Sequence, residues 1–218
     1  MPVVNKVTSD HSTINNTARV EALSDGIFAV AMTLLVLSLQ VPHGVPIPEL
    51  PARILAMWPR LVAFLLSFLI VGYYWVGHSI VFVSILRTDR ALQWFNLAFL
   101  VCVVLVPLSA DLLASYPDSL FAVRVYGANI ILIGMAQFAT WSYASRYHRL
   151  TSESLDPAFI RLMTIRTIAM PVISVISIVV SNFSIVASVA LYVLVPLLLA
   201  LPSRYTPYYA HVERHKSE

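Results

Sequence analysis

Apolar residues in this chain gather into long runs, and short polar stretches separate them. A bilayer core of about 30 Å needs roughly 20 apolar residues per helix. By that measure the pattern predicts six membrane spans, at 20–41, 61–86, 91–114, 121–145, 162–180 and 185–201. They form one helical unit over 18–202, an all-α membrane protein. Residues 1–17 are rich in Asn, Ser and Thr and lack an apolar run, which predicts a flexible tail rather than a signal peptide. A second polar tail follows at 203–218. Pro42 ends the first run, and Pro46, Pro48 and Pro51 keep the next loop from being helical throughout, because proline has no N–H to donate. Pro107, Pro171 and Pro196 fall inside spans and predict kinks there.

Composition agrees with the pattern. The chain has 218 residues, 59% of them hydrophobic and 11% charged, against about 25% charged in ordinary soluble domains. Its net charge of +3 does not point to nucleic acid, because the basic residues flank the apolar runs. Their placement predicts orientation instead. With the N-terminus inside, eleven Lys and Arg residues face the cytoplasm and only Arg53, Arg60 and Arg124 face outward. That asymmetry favours both termini in the cytoplasm and a multi-pass protein of the cell membrane. The single cysteine, Cys102, rules out an intrachain disulfide.

Enzyme chemistry finds no foothold. The sequence has no Gly-rich phosphate loop, no paired cysteines, no His-Glu-x-x-His and no Gly-x-Ser-x-Gly. His211 and His215 are four residues apart, but a charged tail with no third ligand reads as a solvated segment. No metal or cofactor is predicted. Val71-Gly72-Tyr73-Tyr74 matches only the middle of a potassium-channel carbonyl filter, and it lies within an apolar helix rather than a loop.

Polar residues inside spans are costly and usually face a partner or a cavity. Here they are Asp25, Thr33, His78, Asn96, Asn129 and Gln137. In the first span, Val30, Thr33, Leu34, Leu37 and Val41 share a stripe at about 100° per residue, and Asp25 lies about 140° around from Val30. Such a stripe faces lipid, a core or a second copy of the chain. Asp25 and His78 also allow a different reading, the proton relay of a proton-coupled secondary transporter. Such carriers show inverted repeats and helices broken at mid-membrane, and neither is visible in the sequence. A non-transporting membrane scaffold is a third possibility.

Arg19-x-x-x-Leu23-Ser24-Asp25-Gly-Ile-Phe-Ala-Val-Ala-Met-Thr-Leu-Leu-Val-Leu resembles the Arg-x-x-x-Phe-Ser-Asp signature helix of the transmembrane protein 175 family of potassium channels, bacterial single-repeat members included. Trp75-Val-Gly-His78, Arg90-x-Leu-x-Trp94-Phe-Asn96 and the six-span layout extend the resemblance over most of residues 19–112. Beyond that, only span number and hydropathy match.

The resemblance implies a potassium-selective, leak-like channel without a carbonyl filter, and so not an enzyme. Its permeant partner would be K+, with lipid around it. In this family the first helices line the pore and apolar rings form its constriction. Carried onto this chain, Val30 is the narrowest ring, Leu34 and Leu37 continue it, and Thr33 occupies a hydroxyl position linked to ion preference. Arg19, Ser24, Asp25, His78 and Asn96 match the hydrogen-bonded network that braces the inner helix ends. One six-helix repeat per chain implies a homotetramer. Three positions depart from the family: Leu23 stands for the signature Phe, Ser38 for an acidic residue common in bacterial members, and Val30 for a larger Ile or Leu.

Overall fold

No proline or glycine lies between Val3 and Gly26 to stop a helix that runs through the polar N-terminus. In the computed structural model, which describes residues 4–199 with side chains from 17 to 192, the first helix accordingly begins inside the expected flexible tail. This helix, α1, spans Val4–Leu34. It then tightens into a 3-10 turn over Leu35–Ser38. Pro42 restricts only Val41, the residue before it, and nothing local in the sequence accounts for the α-helix giving way to the 3-10 turn at Leu35.

Seven further α-helices follow among the described residues. They are α2 (Leu50–Leu55), α3 (Trp58–Val83), α4 (Arg90–Val104), α5 (Val106–Ser115), α6 (Leu120–Ser145), α7 (Pro157–Val180) and α8 (Ile185–Leu199). Among the described residues, five helical stretches are long and apolar enough to cross a membrane: Thr17–Ser38, Trp58–Val83, Arg90–Ser115, Leu120–His148 and Pro157–Val180. α8 is described over 15 residues, about 22 Å at about 1.5 Å per residue. The last residues of the expected sixth span and the whole 203–218 tail lie outside the described residues. α7 starts five residues before its apolar run because the Asp156 side chain accepts from the Ala158 amide at 2.8 Å and Pro157 fits the first helical position.

The third apolar run is broken rather than merely bent. Pro107 cannot donate to Val103, and α4 and α5 part at Leu105. Asn129 of α6 fills the gap. With its amide turned so that both ends are satisfied, Nδ2 donates to the Cys102 carbonyl at 3.1 Å. Its Oδ1 accepts from the Val106 amide at 3.2 Å and from the Ser109 hydroxyl at 3.1 Å. A side chain thus stands in for the backbone bond between residues 102 and 106.

Two apolar clusters hold the bundle. One joins Phe28 and Ala31 of α1 and Leu35 of the 3-10 turn to Ile70 and Tyr74 of α3, Phe99 of α4, Ile130 and Ile133 of α6 and Met170 of α7. The other, at the end nearest the α6–α7 loop, gathers Phe82, Leu92, Trp141, Phe159 and Met163. There Tyr147 and His148 take positive φ values of 55° and 50°. The loop is pinned by the Leu86 amide donating to the Leu150 carbonyl at 2.8 Å.

Candidate functional site

The two sides of α1 meet different surroundings. Ser24, Phe28, Ala31 and Leu35 recur at helical spacing and are essentially inaccessible. On the opposite side Val30, Leu34 and Leu37 are 57%, 40% and 62% exposed, and Thr33 is exposed between them. The 3-10 turn keeps the stripe in line. At about 120° per residue, three steps from Leu34 bring Leu37 back to the same side. Thr33 Oγ1 donates to the Val30 carbonyl at 2.8 Å, which leaves its oxygen lone pairs directed away from the helix.

At the other end of the span, polar side chains from three helices form a one-way chain. His78 Nε2 and Asn96 Oδ1 are 2.9 Å apart. Asn96 Nδ2 donates to Ser24 Oγ at 3.1 Å, and Ser24 Oγ donates to the Val20 carbonyl at 2.8 Å. With Asn96 Oδ1 as acceptor, His78 must carry its proton on Nε2. The imidazole is sandwiched between Phe82 and Phe99, with centroids 4.3 and 5.3 Å away and nearly parallel planes. Every link ends on a satisfied acceptor, so the arrangement locks α1, α3 and α4 together.

Asp25 and Arg19 stand outside this chain. Asp25 is exposed, and its Oδ1 accepts from the Trp75 indole at 2.8 Å, which ties α1 to α3 a second time. Arg19 is exposed and forms no ion pair with Asp25 among the described residues. No hydrogen bond there links Asp25 to His78 either, and a relay between them has no step in this geometry. The structure therefore brings Ser24, Asn96 and His78 together, pairs Asp25 with Trp75, and leaves Arg19 apart. The sequence shows Trp75 one turn before His78, but nothing in the spacing says that its indole reaches a carboxylate on another helix.

Just before α4, Asp89 caps the helix by accepting from the Leu92 amide at 2.8 Å and also accepts from the Tyr143 hydroxyl at 2.7 Å. Partial burial pushes its carboxyl up. The Tyr143 and Leu92 hydrogen bonds and the Arg149 guanidinium outweigh that and hold it below the usual carboxylate range. A carboxyl lowered in this way stabilises the fold at pH values above its unfolded range, and the contribution is lost as pH falls through the lowered value. Thermal melts of the wild type are therefore expected to drop on acidification into that range, and Asp89→Asn should flatten that part of the pH profile. A profile unchanged by the substitution would remove Asp89 as its source.

With this geometry in place, the chain can be set beside known proteins. The family described as "Endosomal/lysosomal potassium channel TMEM175" matches residues 19–107. A potassium channel of Streptomyces collinus is 37% identical over 157 residues, spanning 70% of this chain and 76% of that protein. A potassium channel of Chamaesiphon minutus is 37% identical over 147 residues, 65% of this chain and 72% of its own length. The crystal structure of a lysosomal potassium-selective channel TMEM175 homolog from Chamaesiphon minutus superposes with a TM-score of 0.77 at 31% identity, over 86% of this chain and 97% of that one.

Proposed function

This chain belongs to the TMEM175 potassium-channel family, and from that premise we propose that it forms a potassium-selective, leak-like channel in the cell membrane, with α1 lining the pore. One observation carries the reading. Of the five long apolar helices, the first is the least covered, with 22% of its apolar window buried against 33–50% in the others. Its bare side is the Val30, Leu34 and Leu37 stripe. One such stripe cannot enclose a passage, but symmetric copies of it can. The unit is a homotetramer, each subunit contributing six spanning helices with both termini in the cytoplasm.

In this reading Val30 forms the narrowest ring, and Leu34 and Leu37 continue it toward the other mouth. A narrow apolar ring expels water, so an ion crossing it gives up part of its hydration. Thr33 adds the hydroxyl oxygen that meets a partly dehydrated ion beside the ring. Ser24, Asn96 and His78, together with Asp25 and Trp75, hold the α1 stripe toward the axis.

Single-channel recording of the purified protein in lipid, under a potassium–sodium bi-ionic gradient, tests this. The expected result is a reversal potential displaced toward the potassium equilibrium value. A saturable flux that follows a pH gradient would overturn the channel reading in favour of coupled transport, and no flux at all would leave only a scaffold. Thr33→Ala is expected to move the reversal potential toward zero while single-channel current persists. An unshifted potential would take Thr33 out of ion discrimination.

A further inference from the structure

Beyond the 3-10 turn, the chain from Gln40 to Val45 and the short helix α2 wall a cavity of about 470 Å³. Among the described residues its charged lining is of one sign, Arg53 and Arg60, beside Gln40, Val41, Pro42 and His43, and no carboxylate lines it. Glu49 stands outside the lining, paired with Arg53 at 3.8 Å with both side chains more than half exposed. Exposed pairs of this kind hold weakly and yield to a stronger anion. Arg60 uses Nη1 to reach the Ser38 carbonyl at 3.5 Å, which leaves the rest of its five-donor fork unspent.

The residues that flank the lining in sequence differ from it. Ile47, Leu55 and Trp58 are 86%, 75% and 65% exposed, and Ile54 is half exposed. An exposed tryptophan and aliphatic side chains beside arginines, where a long apolar helix begins, mark the depth of lipid headgroups. A phosphate there would have apolar neighbours for the chains attached to it. We propose that this cavity binds a phosphate-bearing anion, supplied by an anionic lipid headgroup, with Arg53 and Arg60 as its two guanidinium donors. A phosphate oxygen pair suits the planar fork of arginine better than any other group in the bilayer. If α1 lines the pore, a clause that rests on the function proposed above, Gln40 to His43 border its mouth. A bound anion would then offset positive charge that repels entering cations and so raise potassium current.

The test uses the full-length protein in lipid nanodiscs and in detergent, with bound lipid counted by native mass spectrometry. Phosphatidylglycerol is the anionic probe, phosphatidylcholine the zwitterionic one, and inorganic phosphate the free anion. Arg53→Gln leaves the Ser38 contact intact and is expected to weaken phosphatidylglycerol retention roughly fivefold, and R53Q with R60K is a second variant that keeps the Ser38 donor. R53Q with R60Q should weaken it on the order of thirtyfold. Phosphatidylcholine retention should not change. Retention of phosphatidylglycerol that is the same in all variants overturns the site. Binding of inorganic phosphate that responds to the same variants, without phosphatidylglycerol binding, overturns the lipid as its source. Currents separate this proposal from the pore reading. Phosphatidylglycerol should raise potassium current in the wild type, need several-fold more lipid to do so in R53Q, and not do so in R53Q with R60Q. Charge-dependent lipid binding without any current would uphold the site and overturn the pore, whereas normal current with charge-independent binding would do the reverse.

Discussion

Gly134→Ala is expected to yield little or no folded protein. A Cβ at this position in α6 would lie 2.2 Å from Cγ and 2.4 Å from Cδ of Pro171 in α7, and 3.0 Å from the Tyr74 hydroxyl oxygen. A flexible side chain could swing aside, but a pyrrolidine ring is fixed to its own backbone and cannot. The two helices would have to separate, which would loosen Ile130, Ile133 and Met170 in the larger apolar cluster. Overpacking a core costs about 1–3 kcal/mol, and more where nothing can yield. That is a large share of a stability of about 5–15 kcal/mol. Gly72→Ala is the matched control, since its Cβ would meet only the Met32 terminal methyl, at 3.3 Å. Thermal melts of detergent-solubilised protein followed by size-exclusion chromatography should show Gly72→Ala near wild type and Gly134→Ala largely aggregated. Equal behaviour of the two would mean that α6 and α7 are not in such close contact.

The reach of the sequence follows from what each feature depends on. Long apolar runs identify the spanning helices because lipid leaves the backbone no other way to satisfy its polar groups. The sidedness of α1 was also legible, since 100° per residue already separates Val30, Leu34 and Leu37 from Phe28 and Ala31. Local chemistry sets the helix ends only in part. Pro42 announced a stop, but not that the last turn would tighten into a 3-10 form that preserves the stripe. Contacts between distant residues were the hardest. Asn129 looked like one more intramembrane amide, and only the packed bundle places it across the gap that Pro107 opens. The resemblance groups Asp25 with Arg19, Ser24, His78 and Asn96, and in the single chain its hydrogen-bond partner is the Trp75 indole. Hydrophobic period carries no record of which side chain on the next helix comes within 3 Å. The resemblance over residues 19–112 added roles that periodicity could not, and it named Trp75, His78 and Asn96 together without saying how they join.

Val30→Ala is expected to raise single-channel current, and it is the sharpest test of the apolar constriction. Val30 leans off α1 with 57% of its surface free in the single chain, while its helix neighbours Phe28 and Ala31 are sealed into the core. Removing two methyl groups from a side chain that is more than half exposed costs the subunit's own packing little, so folding should not obscure the readout. In a symmetric assembly the change is repeated in every subunit, and the passage widens on all sides at once. A wider apolar ring holds water more readily, and an ion then keeps more of its hydration as it crosses. Each 1.36 kcal/mol removed from the barrier multiplies a rate by ten, so an increase on the order of tenfold requires only a modest gain in hydration. Val30→Leu should act in the opposite sense and reduce the current. Leu34→Ala provides the comparison along the same stripe. If Val30 is the narrowest point, Leu34→Ala should change current less, because widening a section that does not limit the flow leaves the barrier in place. A larger effect at Leu34 would move the bottleneck one turn along α1 while keeping the stripe as the pore wall. Unchanged current in both, with protein that assembles normally, would place the conducting path on some other face of the bundle.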